Sequence, residues 1–353
     1  MGLSFGLMKK LGRTLVLLML LSFIPLSHLC GDTRLLPLLD ELNTRLQWEP
    51  HRRLGVLRNG LDSLVFKDGE SWVLVNYEKK VDDVAIFSKD GALTTTAKGA
   101  EYLRTLFGRD SAGSDYPRIA AILIDPGHGG KDPGTIGRHT IDEKNLVLYE
   151  KEIVLDICLD VYNRLKNRYP GKRILLTRQG DTYPSLEDRV EMANQVKLAE
   201  EEAIIFVSVH ANASLTNKKA KGFEVWYLPP DFRRTLLESD AVKDESEDIL
   251  PILNTMLEEE YTVESVLLAR QILNGMEEKV GDITENRGLK EESWFVVRNA
   301  KMPSVLIEVG FVTNQEEAQL LADRKHLMKL SEGIYNGLVR FVNYFERTKG
   351  FTE

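Results

Sequence analysis

Three short, largely apolar runs organise this chain: Ile119–Ile124, Ile204–Val209 and Ser304–Phe311. Runs of this length, rich in β-branched residues and without polar alternation, read as strands buried on both faces. Between them the apolar positions change to helical spacing. One stripe is Ile153, Val154, Ile157, Val161 and Leu165; another is Val266, Ala269, Leu273 and Met276. Strands alternating with helices over residues 119–347 predict an α/β domain, with a mostly parallel, twisted sheet flanked by helices.

A different pattern precedes it. Residues 32–110 open with Leu35, Leu36, Leu39, Leu42 and Leu46 at helical spacing. Strand-like runs follow at Gly55–Arg58, Ser63–Phe66, Trp72–Val75 and Asp83–Phe87, with Asn59-Gly60 and Asp68-Gly69 as turns. A helix over about Ala97–Leu106 closes a small α+β domain. The Gly-, Ser- and Asp-rich stretch from Arg109 to Tyr116 marks the linker, residues 111–118 between the domains. At the amino terminus, Lys9, Lys10 and Arg13 precede an apolar run from Thr14 to Leu29 that Pro25 interrupts. Residues 1–30 therefore read as an export leader, too short for a membrane-spanning helix. A cleaved signal peptide, a lipid-modified Cys30 and an uncleaved anchor all remain open. The site before Cys30 is a poor lipoprotein box.

Candidate chemistry gathers where the predicted strands end. The first runs into Asp125-Pro126-Gly127-His128-Gly129-Gly130, a glycine-rich turn that aims one imidazole outward from the carboxyl end of a strand. The second ends on His210-Ala211-Asn212. Alone, the first segment could be a turn with an incidental histidine; two such strands bring both imidazoles to one rim of one sheet. The third carries an acid, Glu308, inside its apolar run. A buried carboxylate costs several kcal/mol unless a cation or strong hydrogen bonds compensate it, and a metal is the economical explanation. A salt bridge to Arg287 or Arg298 is the alternative.

With these blocks in order, the chain from about 119 to 345 resembles the zinc-dependent N-acetylmuramoyl-L-alanine amidases that cut bacterial peptidoglycan. The matching segments are IDPGHGGKDPGTIG (124–137), EKEIVLDICLDV (150–161), LLTRQGDTYPSLEDRVEMAN (175–194), FVSVHANA (206–213), KGFEVWYL (221–228) and PSVLIEVGFVTN (303–314). Several independent blocks at compatible spacing are a far more specific signal than one motif. The resemblance implies one Zn²⁺ per chain held by His128, a glutamate and His210, with water in the fourth position, as catalytic zinc requires. Two EK pairs compete for the glutamate. Glu150, unlike Glu143, heads the apolar helical stripe and is assigned as the ligand. Glu308 occupies the place of the family's non-ligand glutamate, which moves the proton from water to leaving amine. Arg287 and Arg298 are candidates for orienting substrate. His28, His51, His139 and His326 sit at no strand end and are expected to bind no metal. The 32–110 segment weakly resembles copper amine oxidase N-terminal-like modules, without a histidine cluster that could hold copper. Wall targeting, partner binding and a spacer role are equally open for it.

One departure from the minimal pattern is an insertion over 229–263, with nine acidic residues between Glu238 and Glu260 against one lysine. Ile249, Ile252, Leu253, Met256 and Leu257 give it a helical stripe. Resemblance to division-associated members implies a helix that covers the zinc until an activator protein removes it. Glu238 is then the candidate blocking carboxylate. The alternative is an acidic surface hairpin with a self-packed helix.

Composition bounds the rest. The formal net charge of −8 excludes nucleic acid as a natural partner. Cys30 and Cys158 are the only cysteines, which excludes a disulfide framework; Cys158 reads as core. The expected function is hydrolysis of the amide between N-acetylmuramic acid and the first L-alanine of the stem peptide, in the periplasm or cell envelope. The alternatives are a peptidoglycan-binding protein without turnover and a zinc peptidase or amidase acting elsewhere on the stem.

Overall fold

A computed structural model describes residues 31–59, 62–76, 79–108, 118–199, 202–236 and 249–348. The chain divides into two units, residues 1–110 and 111–353. The first contains β1 (Thr33–Arg34), α1 (Leu35–Glu41), β2 (Arg45–Glu49), β3 (Leu54–Arg58), β4 (Ser63–Lys67), β5 (Trp72–Val75), β6 (Lys79–Asp82), β7 (Ile86–Lys89), β8 (Ala92–Thr95) and α2 (Ala97–Phe107). Strands β2 to β6 form an antiparallel meander in sequence order, and β1, β8 and β7 form a second, three-stranded sheet. Leu35, Leu38 and Leu39 of α1 and Leu103 of α2 close over Leu57, Leu64, Phe66 and Val73. The opening helix is shorter than its leucine spacing suggests. Asn43 turns with φ of 49°, so Leu46 lies in a strand rather than on the helix. The run Asp83–Phe87 likewise opens on a turn at Asp83, with φ of 61°, and only Ile86 and Phe87 of it enter a strand, β7.

The second unit contains β9 (Arg118–Pro126), β10 (Ile136–Ile141), β11 (Lys144–Tyr149), α3 (Glu150–Arg168), β12 (Arg173–Leu176), α4 (Leu186–Asn194), β13 (Glu202–Asn212), β14 (Phe223–Tyr227), α5 (Ile249–Val280), β15 (Asn286–Glu291), α6 (Phe295–Asn299), β16 (Ser304–Phe311), α7 (Gln315–Ala322) and α8 (Arg324–Arg347). Six strands make one sheet in the order β12-β9-β13-β16-β14-β15. The first four are mutually parallel; β14 runs against β16 and carries β15 parallel to itself. The three apolar runs are thus neighbours in the middle of the sheet. Alternate residues feed opposite faces, as strand geometry dictates. Ile122 and Ile124 pack with Cys158, Ile272 and Phe341 under α3, α5 and α8. Ala121 and Leu123 pack with Val190 and Val297 under α4 and α6.

Helix α5 is one continuous element of 32 residues, so the helical half of the insertion and the core helix behind it are the same rod. Pro251 falls in its first turn, where a missing N–H costs nothing. Leu253 and Met256 are buried. Arg234 forms a bidentate ion pair with Glu258 at 2.7 Å, and its guanidinium also donates to the carbonyl oxygens of Val297 and Ala300. Residues 237–248, including Glu238, lie outside the described residues.

Helices α5 and α8 cross through a glycine notch. A Cβ on Gly337 would stand 2.5 Å from the Cα of Ile272, and one on Gly275 2.2 Å from the carbonyl oxygen of Gly333. Backbone against backbone leaves nothing flexible to give way. Gly337→Ala is therefore expected to cost about 1–3 kcal/mol by overpacking. Gly171→Ala, whose new methyl meets open space, is the control. Urea unfolding of both variants measures the difference.

Candidate metal centre

The site is built on the end of β9. Asp125 is fully buried, and its carboxylate accepts hydrogen bonds from Thr177 Oγ1 at 2.6 Å, Ser208 Oγ at 2.7 Å and Arg189 Nη1 at 2.5 Å. Beyond it the chain leaves the sheet with its carbonyls exposed to no neighbouring strand, and two guanidiniums collect them. Arg189 donates to the carbonyls of Pro126 and His128; Arg178 donates to those of Pro126 and Gly127. Held in this way, His128 adopts φ of 59°, a left-handed conformation that a non-glycine residue takes only where surroundings enforce it. Gly127 is required by close approach: a Cβ there would lie 2.3 Å from the His210 ring.

Each remaining ligand candidate arrives by its own element. The β10–β11 ribbon returns the chain so that Glu150 opens α3, where the helix dipole favours a carboxylate. Glu150 Oε2 accepts from Thr135 N at 2.8 Å and Oε1 from Ala211 N at 3.0 Å. His210 sits at an irregularity in the β13–β16 register between residues 210 and 212, the kind of bulge that re-aims a side chain. The result is a tight triad. His128 Nε2 and His210 Nδ1 each lie 3.0 Å from Glu150 Oε1 and 3.2 Å from one another. Among the described residues, these three are the group of His, Cys, Asp and Glu side chains whose donor atoms lie close enough together to hold an ion. Asp132 Oδ2 sits 2.8 Å from His128 Nδ1, which assigns that nitrogen as the donor and leaves the Nε2 lone pair facing the triad.

Burial alone would push the Glu150 carboxyl up, but the hydrogen bonds and charges of His128 and His210 outweigh it and hold it far below the usual carboxylate range. Burial also pulls the His128 imidazole down, and there Glu150 and Asp132 prevail and raise it. Both shifts record one coupling: Glu150 is held charged beside two imidazoles, so the cluster presents a carboxylate oxygen and two ring nitrogens close enough together to hold an ion. Glu308 has the opposite surroundings. It pairs in register with His210 on the next parallel strand, so the two side chains leave the sheet on one face. Its Oε2 is enclosed and has no hydrogen-bond partner. Burial pushes its carboxyl well above the ordinary value, and the carboxylates of Glu150 and Glu224 add to the effect. A groove of about 270 Å³ opens beside His128 and His210, bordered by Tyr183 and Pro184 ahead of α4, by Leu186 at its first turn, and by Trp294 and Phe295 at the start of α6.

The model of the N-acetylmuramoyl-L-alanine amidase family matches residues 122–340. The amidase AmiA of Salmonella typhimurium is 30% identical over 248 residues, 66% of this chain and 79% of that protein. The chain belongs to the N-acetylmuramoyl-L-alanine amidase family. AmiA of Escherichia coli is 29% identical over 246 residues, 66% of this chain and 79% of that relative. A Clostridium difficile 630 amidase structure is 28% identical with a TM-score of 0.47, covering 64% of this chain and 98% of that one. The family uses zinc, and the triad has the donor set for it.

Within this amidase fold the other predicted residues are placed as follows. Arg287 lies on β15 and binds Glu224 at 2.7 Å rather than Glu308. Arg298 is exposed at the end of α6, its guanidinium 5.4 Å over the Phe295 ring. Glu143 is exposed in the β10–β11 turn. His139 donates through Nε2 to the carbonyl of Val312, and His326 is buried in α8. His51 is exposed in a turn, whereas His28 lies outside the described residues. Sequence reasoning missed Asp125, Asp132, Arg178 and Arg189. Two arginines in one block, TRQGDTYPSLEDR, beside a strand-ending Asp-Pro were the signal that could have found them. Asp132→Ala is expected to weaken metal binding about 10–100-fold, the usual size of losing a partner that orients a ligand histidine. Titration of the metal-stripped protein with Zn²⁺ measures it.

Proposed function

We propose that His128, Glu150 and His210 hold one catalytic zinc ion and that Glu308 is the general base. The protein then hydrolyses the amide between the lactyl group of N-acetylmuramic acid and the stem peptide's L-alanine. The observation that carries this reading is the unpartnered Oε2 of Glu308 on the same sheet face as the triad. A structural carboxylate at that depth would have found a donor, as Glu224 finds Arg287 and Asn212. A proton acceptor must keep that position free for water and amine.

Zinc at such a centre supplies Lewis acidity, lowering the pKa of water to about 7 and polarising a carbonyl. The residues do the rest. Asp132 keeps the His128 tautomer fixed. Glu308 takes a proton from the attacking water and hands it to the alanine nitrogen as the C–N bond breaks, leaving a lactyl carboxylate and a free amine. Burial and two neighbouring carboxylates make Glu308 a stronger base than a solvated glutamate, which suits that transfer.

The basic, apolar leader supports export to the periplasm or cell envelope, where the polymer resides. Among the described residues no helix is long and apolar enough to cross a membrane.

Two sets of variants test the assignment. His128→Ala and His210→Ala are expected to lose both bound zinc and release of peptide from purified sacculi, and Glu150→Ala to lose zinc where Glu143→Ala keeps it. Glu308→Gln should retain zinc and sacculus binding while turnover falls about 10²–10⁴-fold. Metal analysis and mass identification of the released products supply the readouts. Near-normal turnover in Glu308→Gln would assign that residue to structure, and binding of sacculi without any cleavage by the zinc-loaded wild type would make the protein a wall-binding module.

A further inference from the structure

The groove beside the triad carries more aromatic and aliphatic surface than the chemistry uses. Tyr183, Leu186 and Trp294 expose 42%, 47% and 42% of their surface, yet all three line the same concavity as His128 and His210. Single exposed apolar side chains are ordinary, but three around one reactive centre make a recognition surface. The rings are also held in place. Trp294 stands edge-on to Trp226 with centroids 6.0 Å apart, and the Lys131 ammonium lies 4.6 Å from the Tyr183 ring centroid.

The electrostatics of the groove narrow the ligand. Its one arginine, Arg189, is fully engaged by Asp125 and by the carbonyls of Pro126, His128 and Pro184. Asp132 leaves a second carboxylate at the opening. Among the described lining residues none therefore offers a free cation to the carboxylates of a stem peptide, and the nearest ammonium, that of Lys131, is seated over the Tyr183 ring. An uncharged ring with one C–H face for an aromatic side chain, and hydroxyls at its edge for water, fits such a wall.

We infer that Tyr183 and Trp294 form a saccharide subsite that stacks the N-acetylmuramoyl ring on the acyl side of the scissile amide. This rests on the amidase reading above for which bond is cut, but not for whether sugar is bound. With the sugar on that wall, the stem peptide leaves the centre in the other direction.

Two measurements test the subsite. The first compares kcat/KM on an N-acetylmuramoyl peptide with that on the matching lactoyl peptide, which has the same amide and no sugar. Tyr183→Ala and Trp294→Ala are expected to collapse the ratio between these substrates about tenfold, a typical effect of truncating an aromatic contact, while Tyr183→Phe and Trp294→Phe preserve it. The second is equilibrium binding of peptide-free glycan strands, which needs no turnover and should weaken in the same alanine variants. Equal losses on both substrates, or glycan binding that neither alanine weakens, overturns the proposal. Binding of free stem peptide that falls in these variants would give the wall to the peptide instead. Strands bound through these rings by a protein that cleaves nothing would sink the amidase reading and leave the subsite standing.

Discussion

The turn that presents His128 depends on one constraint: a chain leaving the middle of a buried sheet must satisfy carbonyls that no strand will pair. Here the carbonyls of Pro126, Gly127 and His128 all point to guanidinium groups. Arg189 can lie there only because Asp125 neutralises it, and Asp125 can lie at the base only because Thr177 and Ser208 satisfy its other lone pairs. A buried ion pair of this kind is a poor source of net stability, but removing one partner strands the other charge. Its contribution is positional. It fixes the backbone of the turn and, through it, a strained φ at His128 that a free loop would relax.

Two carboxylates on adjoining elements then diverge in character through surroundings alone. Glu150 is buried but receives two backbone N–H groups and faces two imidazoles, so its charged form prevails. Glu308 is enclosed beside it, finds no donor at Oε2 and faces two other carboxylates. One environment suits a permanent anion for a cation, the other a group that accepts and releases a proton. Environments that push paired acids in opposite directions are how a fold divides such labour. Glu224 belongs to the same argument: its oxygens are taken up by Asn212 and Arg287 and so stay out of the chemistry, while its field reaches Glu308.

The centre of the sheet was legible because strands buried on both faces have no polar residues to confuse the pattern, and an acid or histidine within them stands out. His128, His210 and Glu308 were singled out on those grounds, and Glu150 through the family resemblance together with the helix it begins. What surrounds them was not legible in the same way. The β10–β11 ribbon packs as two strands alone, so Ile136–Tyr149 shows no apolar period to mark it. The direction of β14 against β16 depends on the crossover that precedes it, not on its own residues. Arg178 and Arg189 resemble solvated charges until Asp125 and the three carbonyls are placed around them. In the first unit, Leu46 continued a leucine spacing that the Asn43 turn had already ended. The α5–α8 crossing was equally hidden, since glycine within a helical stripe reads as a defect until another backbone lies against it.

The long helix shows why the insertion and the groove cannot be treated as separate parts. Glu258 belongs to the insertion by sequence, but its carboxylate holds Arg234, and Arg234 holds the carbonyls of Val297 and Ala300 in and just beyond α6. Helix α6 brings Phe295 and Val296 to the groove wall, with Trp294 as its N-cap residue. From Glu258 the same rod runs on to Gly275 and its crossing with α8, where backbone contact leaves no room to slide. The rod is therefore pinned at its carboxyl end by packing and tied near its amino end to the wall by a buried ion pair. Arg234 is thus bonded at one end to Glu258 of the insertion and at the other to the backbone in and just beyond the helix that carries the groove wall.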